Sequence, residues 1–374
     1  MHKIGNDTPT ADVNGEFRET STPTDLRANW ANTVQRELVA VVEDFAGETL
    51  DPENDTQISD ALNSRQYGRA ANSPAAAASL GLTYEPDLMN HIVSPTSSFI
   101  SGVYYGAGFI WATNNGIDTV IKVDPVTMVV VGLYSFGPSS VEGPVIDDGT
   151  YLWVLANESG IGDDSVYRVT ISDGTILGPI LVGRGPRSLV YVNGFVYVAN
   201  STTDNLSKID PESATVVSTI ALAAGASPWG MCFDGSHIWI ANSANDTMSL
   251  LNPVDDSVTS FSLVAGDSPI WPIFDGRTMW VTARGRDRLI QIDIDTHQTI
   301  MELPYTAGTS DVGQVVFDGY SIYAVGLQFQ SITVFKDLMW VQTQQLMDWS
   351  YGVAFDGRYI WYGTSDRLMR MLVR

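Results

Sequence analysis

From about residue 100 onward the chain alternates short apolar runs with Gly, Asp, Asn and Pro, and the alternation itself repeats. The clearest unit is Phe233-Asp234-Gly235-Ser236-His237-Ile238-Trp239-Ile240-Ala241-Asn242. It recurs at Phe274 to Trp280, Phe317 to Tyr323 and Phe355 to Trp361, with weaker copies at Tyr105 to Trp111, Asp148 to Trp153 and Val192 to Tyr197. The aromatic anchors Trp111, Trp153, Tyr197, Trp239, Trp280, Tyr323 and Trp361 stand 42, 44, 42, 41, 43 and 38 residues apart. Within a unit the pattern predicts four short strands, a to d. Strand a leads into Phe-Asp-Gly, b is the Ile-Trp-Ile-Ala run, c resembles Leu206 to Asp210, and d resembles Thr215 to Leu222. Asp-Gly or Asn-Gly between a and b supplies the positive φ of a tight hairpin. Asp-Pro or Asn-Pro after c, as at Asp124-Pro125, Asp210-Pro211 and Asn252-Pro253, fixes a second turn.

A four-stranded meander cannot cover its own faces, so such units stack around an axis with aromatics filling the gaps. Seven units at a period near 40 predict a mainly β fold, a seven-bladed β-propeller over 88–374. The last unit ends at Arg367 to Val373 as a strand c without a strand d, and His91-Ile92-Val93 is expected to supply the missing strand and close the ring.

The first 63 residues follow a different period. Thr24-Asp25 offers an N-cap, and Leu26, Trp30, Val34, Leu38, Val41 and Phe45 recur at helical spacing before Gly47. A shorter helix is expected from Thr56 to Asn63, with Ile58, Ala61 and Leu62 on one side. Two narrow apolar stripes make no independent core, so this small α-helical region needs neighbours, most simply copies of itself. Residues 64–87 are Ala-rich and read as a linker.

Composition narrows the function. At 44% apolar and 17% charged the chain can bury a large core, which excludes a disordered or fibrous protein. A net charge of −23 repels a phosphate backbone, so no nucleic-acid partner is expected. The lone Cys232 excludes an internal disulfide and a Cys-rich zinc site. Neither a signal-peptide core nor an 18-residue apolar run is seen, so no membrane insertion is expected.

Two resemblances carry these expectations further. Tyr197-Val198-Ala199-Asn200 and Ile209-Asp210-Pro211-Glu212-Ser213-Ala214 resemble the YVTN-type propellers, which is specific for fold and uninformative for function. Met1 to Ile4, Asp7 to Ala11, Trp30 to Leu38, Val41 to Gly47 and Leu50 to Ile58 resemble the virion-proximal segment of tailed-phage tail fibres. Ala31 and Phe45-Ala46 depart from that pattern without disturbing the apolar face. The resemblance implies a bacteriophage structural protein of the virion tail, made in the host cytoplasm. It further implies a homotrimer anchored to tail or baseplate proteins by 1–63, with the propeller meeting a bacterial surface receptor, a glycan or an outer-membrane component.

Chain direction alone sorts the loops between two faces. The d-to-a and b-to-c connections share one face of a propeller, and the a-to-b and c-to-d hairpins share the other. The first face collects Arg184, Arg187, Trp229, Trp271, Arg284, Arg286, Arg288, Trp349 and Tyr351. Aromatic rings stack on the apolar faces of sugars and guanidinium groups read carboxylates, so these residues are the expected receptor-binding set. Asn114, Asn157, Asn200 and Asn242 recur after strand b and are expected to cap loops, and the Asp-Gly aspartates to form turns.

Enzymatic readings find less support in the residues. Streptogramin lyase-like propellers rely on histidine, whereas His237 and His297 are expected in hairpins of the opposite face and His2 and His91 lie outside the repeats. Cys232 is expected as a small buried hydrophobe, and Asp163-Asp164 and Asp255-Asp256 as solvated loop acids. No catalytic residue, no metal and no cofactor is assigned. The rival readings are a structural tail adaptor that holds another fibre or tail protein, and a propeller enzyme, a lyase or glycan hydrolase.

Overall fold

A computed structural model of the protein describes residues 90–93, 99–137, 141–156, 164–304, 312–326, 331–336, 339–345, 352–364 and 367–372. The helices expected within 1–63 and the linker at 64–87 lie outside these residues, as do Trp349, Tyr351 and Asn157. The strands form seven four-stranded antiparallel sheets. Blades I to VI span 100–135, 141–181, 186–221, 228–262, 269–304 and 312–345, each a meander of consecutive strands. Blade VII takes Val353–Phe355, Tyr359–Gly363 and Arg367–Leu372, and its fourth strand is Asn90–Val93. Asn90 stands opposite Arg370 and Val93 opposite Arg367, so the expected closure forms in antiparallel register. The innermost strands touch in ring order from I to VII and back to I.

The recurring Phe-Asp-Gly has a concrete physical task. In blade IV the Asp234 carboxylate accepts the N–H groups of Ser236 and His237, each at 2.7 Å, and with its other oxygen the indole N–H of Trp239 at 2.6 Å. One side chain thus caps the a-to-b turn and satisfies the polar edge of a fully buried tryptophan. The same arrangement joins Asp148 to Trp153, Asp275 to Trp280 and Asp356 to Trp361, and Asp318 to the hydroxyl of Tyr323. Glycine follows each of these aspartates at φ between 91° and 101°, which any side chain would strain.

Each core cluster is shared by two neighbouring blades. Tyr197 and Leu206 of blade III pack with Ile238, Ile240 and Leu251 of blade IV, and Trp280 and Leu289 of blade V with Ile322, Ala324 and Phe335 of blade VI. Burying one such side chain stabilises by roughly 1.5–3 kcal/mol, so each blade holds its neighbour in place.

Basic side chains then clasp adjacent blades on the hairpin side. Lys122, Arg168, Lys208 and Arg370 each stand directly opposite their blade's aromatic anchor in the sheet register. Lys208 lies 4.6 Å above the Phe195 ring and reaches Asp256 of the next blade at 2.7 Å. Lys122 bonds the Ile171 carbonyl at 3.3 Å, Arg168 that of Pro211, and Arg370 that of Pro125 at 2.6 Å. Blade IV has Leu250 at this position, and the contact comes from the other side: His297 of blade V stacks on Phe261 at 5.1 Å and meets the edge of Trp239 at 5.7 Å.

No helix among the described residues is long and apolar enough to cross a membrane.

Candidate functional site

The loop face is built by a bulge that each of blades I to VI carries at the start of its innermost strand. Register shifts fall between Ile100 and Gly102, Val141 and Val145, Pro186 and Ser188, Pro228 and Met231, Pro269 and Trp271, and Val312 and Val315. A bulge lifts one residue out of the ladder and re-aims it, and the prolines at 186, 228 and 269 begin strands where no ladder N–H is required. The residues just after these starting positions are Ser101, Glu142, Arg187, Trp229, Ile270 and Gly313. Equivalent positions thus carry a hydroxyl, a carboxylate, a guanidinium, an indole, an alkyl group and a bare backbone.

Three of these innermost strands bring the expected residues together. The Arg187 guanidinium lies 4.6 Å over the Trp229 ring, and its Nε donates to Ser201 Oγ at 3.4 Å. Ser188 Oγ donates to the Trp229 carbonyl at 2.7 Å, locking blade III to blade IV. A side chain at Gly230 would fall on the Ile270 carbonyl and the Trp271 ring, so glycine lets the two strands approach and the Trp271 ring lie against the backbone of the strand that carries Trp229. Trp229 and Trp271 are half-buried, and both lie within strands rather than in the connections where the sequence placed them. Glu142 in blade II is exposed, while the Gln314 amide oxygen in blade VI accepts the Val353 N–H at 3.3 Å. Neither residue stood out in the sequence, because only the bulge register reveals them as equivalents of Arg187 and its neighbours.

The loops around this band are held by aspartates. Asp204 accepts the N–H groups of Gly225 and Ser227 at 2.8 and 2.7 Å, and Asp246 those of Gly266 and Ser268 at the same distances. Asp164 accepts the Gly185 N–H. Asp204 and Asp246 take φ of 50° and 56°, the left-handed region that Asp tolerates better than most residues. Their recurrence immediately before strand c was the available sequence signal for these clamps. Asn200 and Asn242 bond side chains instead of backbone: Asn200 reaches Asn205 and Ser207, and Asn242 reaches Thr247 and Ser249. This differs from the expected backbone caps, since the paired strand c presents side-chain oxygens within hydrogen-bond distance of both amides. Asn114 Oδ1 does cap backbone, accepting the Gly116 N–H at 3.2 Å.

The arginine cluster of blade V is largely engaged within the fold. Arg286 pairs with Asp267 at 3.2 Å and approaches Glu302 at 4.0 Å, and Arg288 pairs with the same Glu302. Asp267 is fully buried; its burial raises the carboxyl pKa, while Arg286 and the Val264 N–H pull it back. Two acids therefore offset Arg286 and Arg288, while Arg284 and, two blades away, Arg184 are solvent-exposed.

His237 and His297 lie in hairpins of the opposite face, and His297 is packed into the blade contact described above. The Cys232 thiol packs against the Trp239 cluster, and burial pushes its pKa to about 12, far above thiolate chemistry near neutrality. Asp256 serves Lys208, and Asp255 holds the N–H and hydroxyl of Ser257. Among the described residues no group of three or more His, Cys, Asp or Glu could hold a metal ion.

No protein-family model matches this sequence, and no curated protein does. Solved structures do resemble the fold. A streptogramin B lyase structure superposes with a TM-score of 0.66 at 14% identity, covering 76% of this chain and 97% of the lyase. A catalytically inactive histidine-to-alanine variant of virginiamycin B lyase from Staphylococcus aureus, with quinupristin, gives 0.67 at 13% identity, covering 76% and 99%. The selenomethionine-substituted form of that enzyme gives 0.66 at 13%, with the same coverage. At such identity the likeness defines a class, the seven-bladed β-propeller, and goes no further.

Proposed function

We propose that this protein is a binding protein whose loop face engages a glycan-type receptor on a bacterial surface, and that it serves as a tail fibre of a phage virion. The observation that carries the binding reading is the band of Arg187, Trp229 and Trp271 across three innermost strands. A guanidinium held against one indole, with a second indole on the next innermost strand, offers a stacking platform and a carboxylate or hydroxyl reader on one face. The tail-fibre part rests on the resemblance of residues 1–63, including the stripe Leu26, Trp30, Val34, Leu38, Val41 and Phe45.

Binding is tested by titrating full-length protein with purified surface polysaccharide from candidate hosts. The expected result is saturable binding that Trp229→Ala or Arg187→Ala weakens at least tenfold; binding indifferent to both substitutions would overturn the reading. Assembly is tested by the solution mass of the full chain, expected at three times the 40.7 kDa protomer and reduced by Trp30→Asp or Leu38→Asp. A structural adaptor would instead leave host adsorption intact when the loop face is altered and block virion assembly.

A second reading, a lyase, is favoured by the likeness to virginiamycin B lyase. Mass spectrometry of quinupristin incubated with the protein separates the two. The binding reading expects unchanged quinupristin, and an isomerised or linearised product would favour the lyase.

A further inference from the structure

At the junction of blades V and VI the basic clasp of the hairpin face is absent, as it is where Leu250 of blade IV and Val334 of blade VI stand opposite their anchors. Opposite the anchor Trp280, strand c carries Gln291 where blades I, II, III and VII carry Lys or Arg. Its amide nitrogen turns back to Thr278 Oγ1 at 3.0 Å, and its amide oxygen is buried without a hydrogen-bond partner, the residue being 8% exposed. Here the a-to-b hairpins of the two blades stand around a cavity of about 260 Å³.

Trp280, Phe317, Ile322 and Phe335 form the apolar part of its lining, and Tyr320 and Arg277 the polar part. Asp275 also borders it, but that carboxylate is already occupied by the N–H groups of Arg277, Thr278 and Trp280 and the Thr278 hydroxyl. Arg277 is exposed, and its guanidinium makes no ion pair or ring contact among the described residues. The clasp cations and Arg286 and Arg288 are engaged by carboxylates or carbonyls, whereas the Arg277 guanidinium stands at the rim of a cavity with aromatic walls.

We propose that this cavity is a binding site for a ring-sized organic carboxylate. The Arg277 guanidinium takes the carboxylate in a charge-assisted pair, and Phe317 and Tyr320, both half-buried, take the flat apolar face of the ring. The volume lies below the roughly 300–1,000 Å³ of drug-sized sites, which limits the occupant to one ring. A net charge of −23 disfavours multiply charged anions and leaves a monocarboxylate as the match for one arginine. That chemistry is shared by an acidic sugar and an aromatic acid. The site is on the face opposite the proposed receptor surface and does not depend on that reading.

The test uses saturation-transfer NMR and calorimetry on the full-length protein with glucuronate, benzoate and glucose as probes. At least one of the two carboxylates is expected to bind in the millimolar range, the tighter one identifying the source, with glucose much weaker. Arg277→Gln, which leaves the backbone N–H to Asp275 in place, is expected to weaken binding about tenfold or more, and Trp229→Ala to leave it unchanged. Absence of binding by both carboxylates, indifference to Arg277→Gln, or loss with Trp229→Ala would each overturn the proposal.

Discussion

The two faces of the propeller are made from the same seven meanders, yet they use polar residues differently. On the hairpin face a pattern recurs: in five blades an aspartate serves a turn and an aromatic anchor, and in four a basic residue reaches the next blade. On the loop face the clamping aspartates repeat, but the residues at the bulges change from blade to blade, from Ser101 to Glu142, Arg187, Trp229 and Ile270. Repetition marks what the blades need in order to fold; where it departs, Glu142, Arg187 and Trp229 remain accessible, whereas Ser101 and Ile270 are buried. The Arg277 cavity applies the same rule to the hairpin face, since it lies where the clasp pattern lapses.

The largest expected separation between the faces is in stability. Trp239→Ala removes a fully buried anchor from a cluster shared by two blades and is expected to cost about 3–5 kcal/mol, read as a fall in urea midpoint. Asp356→Ala leaves the turn N–H groups and the Trp361 indole without their acceptor and is expected to cost about 2–3 kcal/mol. A midpoint shift from either as small as that of a surface substitution would break the distinction drawn between the faces.

Acid melts sharpen it. On the hairpin face Asp124, Asp173, Asp255 and Asp293 are held below the usual carboxylate range by the amide or hydroxyl groups of their own turns. Asp275 is also lowered: burial would raise it, but the Thr278, Trp280 and Arg277 donors outweigh that. A depressed folded pKa contributes stability above the unfolded value near 3.9 and loses it as pH falls through the folded value. Asp267 on the loop face runs the other way. Its raised pKa favours the fold at low pH, and that contribution fades as pH climbs through the folded value. Thermal midpoints are therefore expected to fall below about pH 4, and Asp267→Asn is expected to steepen that fall relative to wild type.

Lys208→Met tests one clasp. Burial pulls the Lys208 pKa down, but Asp256 and Tyr197 outweigh it and leave it raised. The pair is partly shielded, and its loss is expected to cost about 1 kcal/mol at neutral pH. A raised lysine pKa gives stability that is full below the unfolded value of about 10.4 and disappears as pH rises through the folded value, so wild type and variant should converge in alkali. The smallest stability change is expected on the loop face, where Trp229→Ala shifts unfolding by no more than about 1 kcal/mol while receptor binding falls at least tenfold.

The sequence by itself determined the blade count, the order of strands, the hairpin turns and the closing role of His91-Ile92-Val93. Each is local or periodic: an Asp-Gly turn is settled within a few residues, and a strand missing from the last unit has to come from before the first. It also placed His237 and His297 on the hairpin face and Arg184, Arg187, Arg284, Arg286 and Arg288 around the loop face, because chain direction alternates strand by strand. Only the tertiary structure decided which of those residues are available. Arg286 and Arg288 are taken by Asp267 and Glu302, Arg187 is set on Trp229, and Glu142 is exposed at the start of its strand, where the register shifts without a fixed sequence signature. The fold follows from contacts repeated along the chain, whereas the site depends on which side chains of separate blades neutralise, stack on or leave open one another. That is settled by distances across blade junctions, and a linear pattern does not carry them.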